Sequence, residues 1–236
     1  MDDFHIHTIY SDGTDDVTDI LNLTQGFDMF SITDHNNINA CKEVHMDNFI
    51  PGAEFSCLVD QNEIHVLGYN FDLDNKDINK LLNEYNYENN KAFLEAFYHI
   101  NERYGFNIDN SKILSLVNRG VSLNKVNLSN ILLDNSIGSD IYEVYEKYVK
   151  AFLPTSLYYH KIDEIIDSIK QAKGYVLLAH PYEYRFDDAD SLIRKLKFKG
   201  IDGIEVTVKD FDRSLETIKK YELIYNGIQF SAKEII

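Results

Sequence analysis

The chain has 236 residues, of which 44% are hydrophobic, and a formal net charge of −16 at pH 7. This length is enough for one large domain, or for one domain that carries an insertion. The acidity argues against a protein that holds long nucleic acid, because such proteins are usually basic along one face. It does not exclude small phosphorylated ligands, because bound cations can reverse the local potential of a pocket.

The cysteine count and the termini bear on the compartment. Cys41 and Cys57 are the two cysteines of the chain and provide no disulfide framework. The first residues are acids and histidines, which is not the pattern of a signal peptide, and no apolar run is long enough to cross a membrane. We therefore expect a cytoplasmic protein without a membrane partner, in an oligomeric state that the sequence leaves open.

The first part of the chain alternates between strand and helix patterns. A short amphipathic helix is predicted from Thr14 to Gln25, with Thr14 as its N-cap. Strands are predicted at residues 3–8, 27–33, 49–55 and 63–69. This alternation favours a parallel α/β architecture.

The pattern then becomes helical. A helix is predicted from Asp77 to about Tyr104, where Gly105 ends it, and shorter helical patterns follow over 111–153. We interpret residues 75–155 as a helical insertion, and residues 1–74 and 156–236 as the domain that carries it.

Alternation resumes after Pro154. Helices are predicted over 162–169, 192–199 and 215–223, and strands over 175–179, 201–208 and 226–231. The strand at 201–208 carries Glu205.

Seven polar residues fall at or beside the ends of predicted strands: His5, His7, Asp12, His35, Glu54, His65 and His180. His5 and His7 are two residues apart, so on a strand their side chains face the same way and can bind one metal ion. Imidazoles together with carboxylates suit zinc, manganese or iron. A single histidine on an apolar strand is usually a core residue, but this combination at successive strand ends favours a metal site. The remaining histidines, His45, His99 and His160, are assigned to the surface.

The order of motifs resembles the polymerase and histidinol phosphatase (PHP) superfamily, and most of all its small stand-alone phosphoesterases. The motifs are His5-x-His7, Ser11-Asp12-Gly13, Thr33-Asp34-His35, Pro51-Gly52-Ala53-Glu54, His65-Val66-Leu67-Gly68 and Ala179-His180-Pro181. The resemblance implies an α/β fold, a distorted (β/α)7 TIM-like barrel with a helical insertion. It also implies two or three divalent metal ions (Mn²⁺, Zn²⁺ or Fe²⁺) and hydrolysis of small phosphorylated substrates such as nucleotides, nucleoside bisphosphates or short oligonucleotides.

The resemblance also implies roles for individual residues. His5 and His7 match ligands of one ion, Glu54 bridges it to a second ion held with His65, and Asp12 and His35 match ligands of a third. His180 matches a further ligand. Apart from the resemblance, two candidates stay open for the proton donor to the leaving group, His180 and a second metal-bound water, and Asp34 is the candidate for a group that orients an imidazole or a water.

Two motifs depart from the family pattern. Where the family has Ser-Asp-x-His near its end, this chain has Ser231-Ala232-Lys233-Glu234, in which Glu234 can bind a metal and Ala232 cannot. Where the family has Arg-Pro-His in its insertion, this chain has Lys125-Val126-Asn127. Lys125 keeps a positive charge for phosphate but lacks the fork of arginine.

The sequence therefore predicts a metal-dependent phosphoesterase in which metal-activated water attacks phosphorus. The candidate substrate-binding residues are Arg119, Lys125, Asn127 and Arg185. Two alternatives stay open. One is a catalytically degenerate barrel that binds metal or phosphate as a sensor or scaffold, and the other is amide hydrolysis on a similar metal barrel.

Overall fold

The structure, a computed structural model, describes residues 1–184 and 188–225, and it has a mixed α/β fold. Its strands are β1 (Asp2–Ile6), β2 (Met29–Ile32), β3 (Gly52–Val59), β4 (Asn62–Tyr69), β5 (His160–Lys161), β6 (Tyr175–Leu178), β7 (Gly203–Ile204) and β8 (Ile224–Tyr225). Its α-helices are α1 (Val17–Leu23), α2 (Asn39–Glu43), α3 (Lys76–Tyr104), α4 (Ser111–Asn118), α5 (Lys125–Asp134), α6 (Ile141–Val144), α7 (Ile162–Gln171), α8 (Ala189–Lys199) and α9 (Phe211–Tyr221). A π-helical turn at Tyr145–Val149 and short 3₁₀ turns at Lys150–Phe152 and Val208–Asp210 complete the helical segments.

The strands form two sheets. One pairs β1 with β2 in parallel, and the other has the order β5-β3-β4-β6-β7-β8. Strand β4 runs antiparallel to both of its neighbours, whereas the other pairs are parallel. The expected all-parallel alternation is therefore wrong at β4. Over residues 1–184 and 188–225 neither sheet closes on itself, so the topology does not confirm a TIM-like barrel.

The antiparallel step is a hairpin with a two-residue turn. Asp60 and Gln61 both have positive φ, at 50° and 68°. That backbone matches the right-handed twist of the two strands it joins, so it produces a tight hairpin. Glycine and asparagine are the usual residues in such a turn, and their absence here explains why the sequence pattern did not indicate a hairpin.

The core of the larger sheet is continuous with its flanking helices. Buried residues of β3, β4 and β6 pack against α7 and α8, with Phe55, Val66 and Ile169 as members. Gly68 permits the approach of α7, because a β-carbon there would lie 2.9 Å from Ile169 Cδ1. Burial of this apolar surface is the main force that fixes the sheet and hence the strand ends.

Helix α3 contributes to two hydrophobic clusters. Its first turns place Ile78, Leu81 and Leu82 in the core of the larger sheet. Its later turns, with Phe93 and Phe97 among them, pack against α4, α5 and the segments that follow. Asn75 caps the helix by accepting from Asp77 N and Ile78 N, and Gly105, at φ 66°, ends it. The proposed boundaries of the insertion at 75 and 155 stay a prediction.

Several local expectations need correction. Helix α1 begins at Val17 and is capped by Asp16, whose side chain accepts from Asp19 N, and not by Thr14. The strand predicted over 201–208 is reduced to β7, so Glu205 lies just beyond its end. His160 is buried, with Nε2 2.9 Å from Leu81 O, whereas the sequence assigned it to the surface. The predicted strand at 226–231 lies outside the described residues. None of the helices in the described ranges combines the length and the apolar character needed to cross a bilayer.

Asn90 joins α3 to the segment before α5, and we expect its removal to destabilise the protein. Its side chain is buried, donates to Val121 O (2.9 Å) and accepts from Leu123 N (2.8 Å). Asn90→Ala leaves both backbone groups without a partner, which costs about 2 kcal/mol of unfolding free energy. Urea denaturation measures it. The matched control is Asn83→Ala on the exposed part of the same helix, which should change stability by less than about 0.5 kcal/mol. Equal effects of the two variants would contradict the assignment.

Candidate metal centre

The seven polar residues singled out in the sequence come together where β1, β2, β3, β4 and β6 meet. Glu54 is at the middle of this group and is 1% exposed. Its carboxylate lies 3.0–3.2 Å from a ring nitrogen of each of five histidines: His5, His7, His35, His65 and His180. Five imidazoles offer this buried carboxylate more hydrogen-bond donors than its two oxygens need.

Backbone pairing places Glu54 beside His35. An isolated parallel bridge joins the two residues, with Asn36 N donating to Glu54 O (2.8 Å) and Glu54 N to Asp34 O (3.2 Å). Asn36 has φ 49°, a left-handed conformation that asparagine tolerates, and this turns the chain just after His35. The position of His35, a candidate metal ligand, is therefore fixed by the main chain.

The Ser11-Asp12-Gly13 motif brings Asp12 to the centre by a tight loop. A β-carbon on Gly13 would lie 2.3 Å from His7 O, so no other residue allows this close return of the chain. The loop puts Asp12 Oδ1 2.7 Å from His7 Nδ1 and Asp12 Oδ2 3.5 Å from His35 Nε2.

Asp34 anchors this loop. It is 1% exposed and accepts from Thr8 N (2.7 Å), Thr8 Oγ1 (2.7 Å) and Ser11 Oγ (2.6 Å). The sequence predicted that Asp34 orients an imidazole or a water, whereas the hydrogen bonds show that it holds the loop that carries Asp12. It contributes to the centre by positioning another residue.

His180 lies directly after β6 with φ 28°, an unusual value for a residue that is not glycine. Its Nε2 lies 3.0 Å from Glu54 Oε1, while its Nδ1 is buried and has no hydrogen-bond partner among the described residues. These contacts place His180 with the ligand candidates. His180 is not among the described residues that line the adjoining cavity described below, and its role as a proton donor stays a prediction.

Glu205 is a member of the centre that the sequence analysis did not select. It is 7% exposed, with Oε1 2.8 Å from His5 Nδ1 and Oε2 accepting from His180 N at 2.6 Å. Glu63 makes a weaker contact of this kind, 3.3 Å from His65 Nε2. The available signal for Glu205 was its place on the strand predicted over 201–208, but only the shorter β7 of the structure puts it just beyond a strand end.

The carboxylates strongly favour protons on the imidazoles. Burial alone would lower the pKa of His5, but hydrogen bonds to Glu205 and Glu54 outweigh it and raise the pKa to about 10. In the same way Asp12 and Glu54 raise the pKa of His7 to about 9, and Glu54 and Glu63 raise that of His65 to about 9. Burial opposes ionisation of Glu54 too, yet the surrounding histidines hold its pKa well below its usual range.

A cavity of about 620 Å³ adjoins the centre, and we call it the central cavity. Asp12, His35 and His65 line one side, and residues of α3, α5 and the segment around Leu153–Tyr159 line the others. Apolar and aromatic side chains form much of its wall, and Lys125 is the one lysine or arginine among the described residues that line it. Lys125 Nζ lies 6.0 Å from the centre of the Tyr145 ring.

The other candidate substrate contacts are placed differently. Asn127 uses its amide elsewhere, accepting from Asn124 N (2.9 Å) and donating to Ser11 O (2.8 Å), so it ties α5 to the Asp12 loop. Arg119 is exposed at the end of α4 and is not among the residues that line the cavity. Arg185 and Glu234 lie outside the described residues.

Comparison with solved structures identifies the fold. One similar protein is described as a "putative metal-dependent phosphoesterase" from Bifidobacterium adolescentis, with a TM-score of 0.80 and 20% identity over 95% of this chain and 85% of that one. Another is an amidohydrolase from Chromobacterium violaceum, solved with bound sulfate and no metal, with a TM-score of 0.76 and 18% identity over 95% of this chain and 84% of that one. Protein-family models and curated protein sequences give no match to the chain.

The chain has the fold of these two proteins. At 20% and 18% identity this likeness shows the fold alone, and the resemblance to the PHP superfamily stays a prediction.

The residues of the centre fit divalent cations. Three overlapping groups have ligand atoms that all lie within 4.8 Å of one another: His5 with His7 and Glu54, His7 with Asp12 and His35, and His35 with Glu54 and His65. The unpartnered Nδ1 of His180 and the crowding of five imidazoles on one carboxylate point the same way. Imidazole and carboxylate together form the usual ligand set of zinc, manganese and iron.

Proposed function

We propose that this protein is a metal-dependent phosphoesterase that hydrolyses a small phosphorylated substrate. The observation that carries the proposal is the Glu54 carboxylate at the centre of five imidazoles, beside a cavity that has room for a small ligand. A cavity of this size is typical of small-molecule sites. The sulfate bound by the Chromobacterium violaceum protein has the shape and charge of phosphate, which supports an oxyanion as the ligand of this fold.

Two or three divalent cations (Mn²⁺, Zn²⁺ or Fe²⁺) are the cofactors we propose. His5, His7, Asp12, His35, Glu54, His65 and His180 are the residues that would hold them. When bound, such ions lower the pKa of water and neutralise charge that develops on phosphoryl oxygens. The protein would supply the fixed ligand positions, with Glu205 and Glu63 orienting two of the imidazoles and Asp34 the Asp12 loop.

The wall of the central cavity supports a substrate with an apolar or aromatic part. Tyr85, Phe93 and Tyr159 contribute ring surface, and Lys125 contributes a positive charge. We infer that Lys125 contacts the phosphate and that the rings contact the body of the substrate. A nucleotide, a nucleoside bisphosphate or a short oligonucleotide combines these two features.

We also infer that the two sheets form one distorted barrel wall around the centre. Two parallel bridges, Phe30 with Phe49 and His35 with Glu54, connect the segment of β2 to that of β3. Ile50 N donates to Phe30 O at 2.9 Å, which extends this contact. Such an arrangement would gather the strand ends on one face, where barrel enzymes have their active sites.

Metal analysis combined with turnover tests the proposed function. Protein purified without chelator should contain two or more divalent ions per chain and hydrolyse p-nitrophenyl phosphate in added manganese, and His35→Ala should lose this turnover. Because the Chromobacterium violaceum protein is called an amidohydrolase, p-nitroacetanilide is the second substrate to test. Turnover of p-nitroacetanilide without turnover of p-nitrophenyl phosphate would favour an amidohydrolase. Metal binding with no turnover of any ester would favour the degenerate sensor or scaffold.

Replacement of Lys125 should weaken substrate binding more than it slows the chemical step. Among the described residues that line the cavity there is no other lysine or arginine that could contact the phosphate in its place. We expect Lys125→Ala to raise the KM for a phosphomonoester about tenfold, which corresponds to one lost charge-assisted hydrogen bond. Steady-state kinetics measure it. Lys112→Ala, at an exposed lysine of α4, is the control and should leave the KM unchanged. If Lys125→Ala left the KM unchanged, Lys125 would not contact the phosphate.

A further inference from the structure

One face of α3 carries four asparagines at helical spacing: Asn79, Asn83, Asn86 and Asn90. Asparagine is a poor helix former, so this pattern costs helix stability and calls for a local reason. The two outer residues have one. Asn79 donates to Leu73 O (2.7 Å) and Asn75 O (2.9 Å), and Asn90 bonds the segment before α5.

The two inner asparagines are not used in this way. Asn86 donates to Asn36 O (2.9 Å), but its Oδ1 is buried and has no hydrogen-bond partner within residues 1–184 and 188–225. The amide of Asn83 is not bonded to any of the described residues. A buried carbonyl oxygen without a donor is unfavourable, so a group that supplies a donor there would stabilise the structure.

Both inner asparagines line a cavity of about 470 Å³ between α3, the loop that leads into α2, and the turn at Gly120. We call it the asparagine cavity. Its apolar side is formed by Ile38, Leu82 and Leu94, and amides surround this surface. Apolar surface with a few convergent polar groups is the usual composition of a small-molecule site.

The charge of this cavity is opposite to that of the chain. The sequence has 39 acidic residues and a net charge of −16, yet no carboxylate is among the described residues that line the cavity. Two lysines do line it, Lys42 and Lys91, and neither makes an ion pair with a carboxylate in the described part of the chain. Lys42 Nζ donates to Asn79 Oδ1 at 3.2 Å, but neither ammonium has a carboxylate among the described residues to neutralise it, which favours an anionic ligand in so acidic a protein.

We propose that the asparagine cavity is a second ligand site that takes a small organic anion carrying hydroxyl groups. Its anionic group pairs with Lys42 and Lys91. The hydroxyls bond the exposed amide of Asn83, which can donate or accept, and rotation of the Asn86 side chain brings its buried Oδ1 within reach of a further hydroxyl. The carbon face of the ligand packs on the apolar side of the cavity.

The site is connected to the metal centre by the main chain. Asn86 bonds Asn36 O, Asn36 N donates to Glu54 O, and Asn36 directly follows His35. Asn36 also lines both cavities. A ligand that shifts Asn86 can therefore displace the main chain beside His35 and Glu54 without contacting either side chain.

The test uses metal-loaded protein with ¹⁵N-labelled asparagine side chains and three probes. Glucose 6-sulfate has both features of the proposed ligand, glucose has hydroxyls without charge, and inorganic sulfate has charge without hydroxyls; none is a phosphate ester. We expect glucose 6-sulfate to shift the Asn83 and Asn86 side-chain amides saturably. Its affinity should be about tenfold higher than that of either partial probe, as one charge-assisted hydrogen bond provides.

Variants locate the binding. Lys91→Ala changes an exposed residue and should weaken glucose 6-sulfate about tenfold. Lys125→Ala, in the central cavity, should leave its affinity unchanged. The proposal is overturned by the absence of saturable shifts at Asn83 and Asn86, by equal affinities of the three probes, or by binding that is lost in Lys125→Ala and kept in Lys91→Ala. None of these outcomes depends on phosphoesterase activity, so this site and the proposed function can fail separately.

Discussion

Glu54→Gln should remove most of the bound metal and the turnover together. Glu54 is the one carboxylate that all five imidazoles of the centre contact, and at 1% exposure no water can replace it readily. Glutamine has nearly the same size but no charge. Its NH₂ group would also face imidazole nitrogens that need to present lone pairs to a cation. Because loss of an outer carboxylate already costs 10–100-fold in metal affinity, we expect a loss of at least about 100-fold here.

Competition with a chromophoric chelator gives the affinity, and elemental analysis gives the metal content. The matched control is Glu63→Gln, which removes a carboxylate that contacts only His65 among the imidazoles, at 3.3 Å, and is about half exposed. We expect the control to lose no more than about tenfold in affinity. Full metal content and turnover in Glu54→Gln would show that the cation site is not built on this residue, and the proposed function would lose the observation that carries it.

Much of the centre could be predicted from the sequence because its ligands follow one rule. Each was selected at or beside the end of a predicted apolar strand. In the structure His5, His7, His35 and His180 lie near strand ends, whereas Glu54 and His65 lie within β3 and β4 and Asp12 lies in the loop after β1. His5 and His7 show the rule most simply, because alternation on one strand is enough to put both rings on Glu54. The structure brings together all seven residues selected in this way.

Glu205 and β4 show where the same reasoning stops. Glu205 followed a strand end like the others, but it is not next to a histidine in the sequence, and only the contact with His5, 200 residues away, reveals its role. Strand β4 was expected to be parallel because strand and helix patterns alternate around it. Its antiparallel pairing with β3 is instead set by the turn between Val59 and Asn62. Asp60 and Gln61 adopt left-handed backbone there without glycine. The role of Glu205 and the direction of β4 both depend on contacts between segments, which a local sequence pattern does not show.

The hydrogen-bond partners of Asp34 and Asn127 were not predicted, for a related reason, and the roles predicted for the two residues stay predictions. Their positions beside His35 and Lys125 suggested direct roles at the centre and at the substrate. The structure gives both residues to the Ser11–Gly13 loop, through Ser11 Oγ and Ser11 O. A polar side chain in a motif is a good sign that the motif is buried and bonded, but the residue it bonds depends on how distant segments pack.

Glu205→Gln should weaken metal binding while leaving the fold intact, because Glu205 orients two ligands at once. One oxygen accepts from the His5 ring and the other from the backbone N–H of His180. A carboxylate accepts both bonds. A glutamine of the same shape has one oxygen, so its NH₂ must face either His5 Nδ1–H or His180 N–H, and one bond is lost. Whichever is lost, one ligand is no longer fixed, and we expect cation affinity to fall by about 10–100-fold.

If Glu205 only stabilised the fold, Glu205→Gln would lower stability and leave cation affinity unchanged. The measurement must therefore separate stability from the positioning of the ligands. In metal-loaded protein, ¹⁵N spectra of the His5 ring should show an Nδ1–H proton that exchanges slowly with solvent when Glu205 is present. In Glu205→Gln this proton should exchange faster or its signal should shift. Glu183→Gln, at an exposed carboxylate three residues after His180, is the control and should change neither the spectrum nor the affinity. If Glu205→Gln lowered the melting temperature with unaltered affinity and an unaltered His5 ring signal, Glu205 would serve only to stabilise the fold. If affinity and the ring signal change together while the apo protein melts normally, the carboxylate that the sequence pattern missed sets the geometry of the ligands it found.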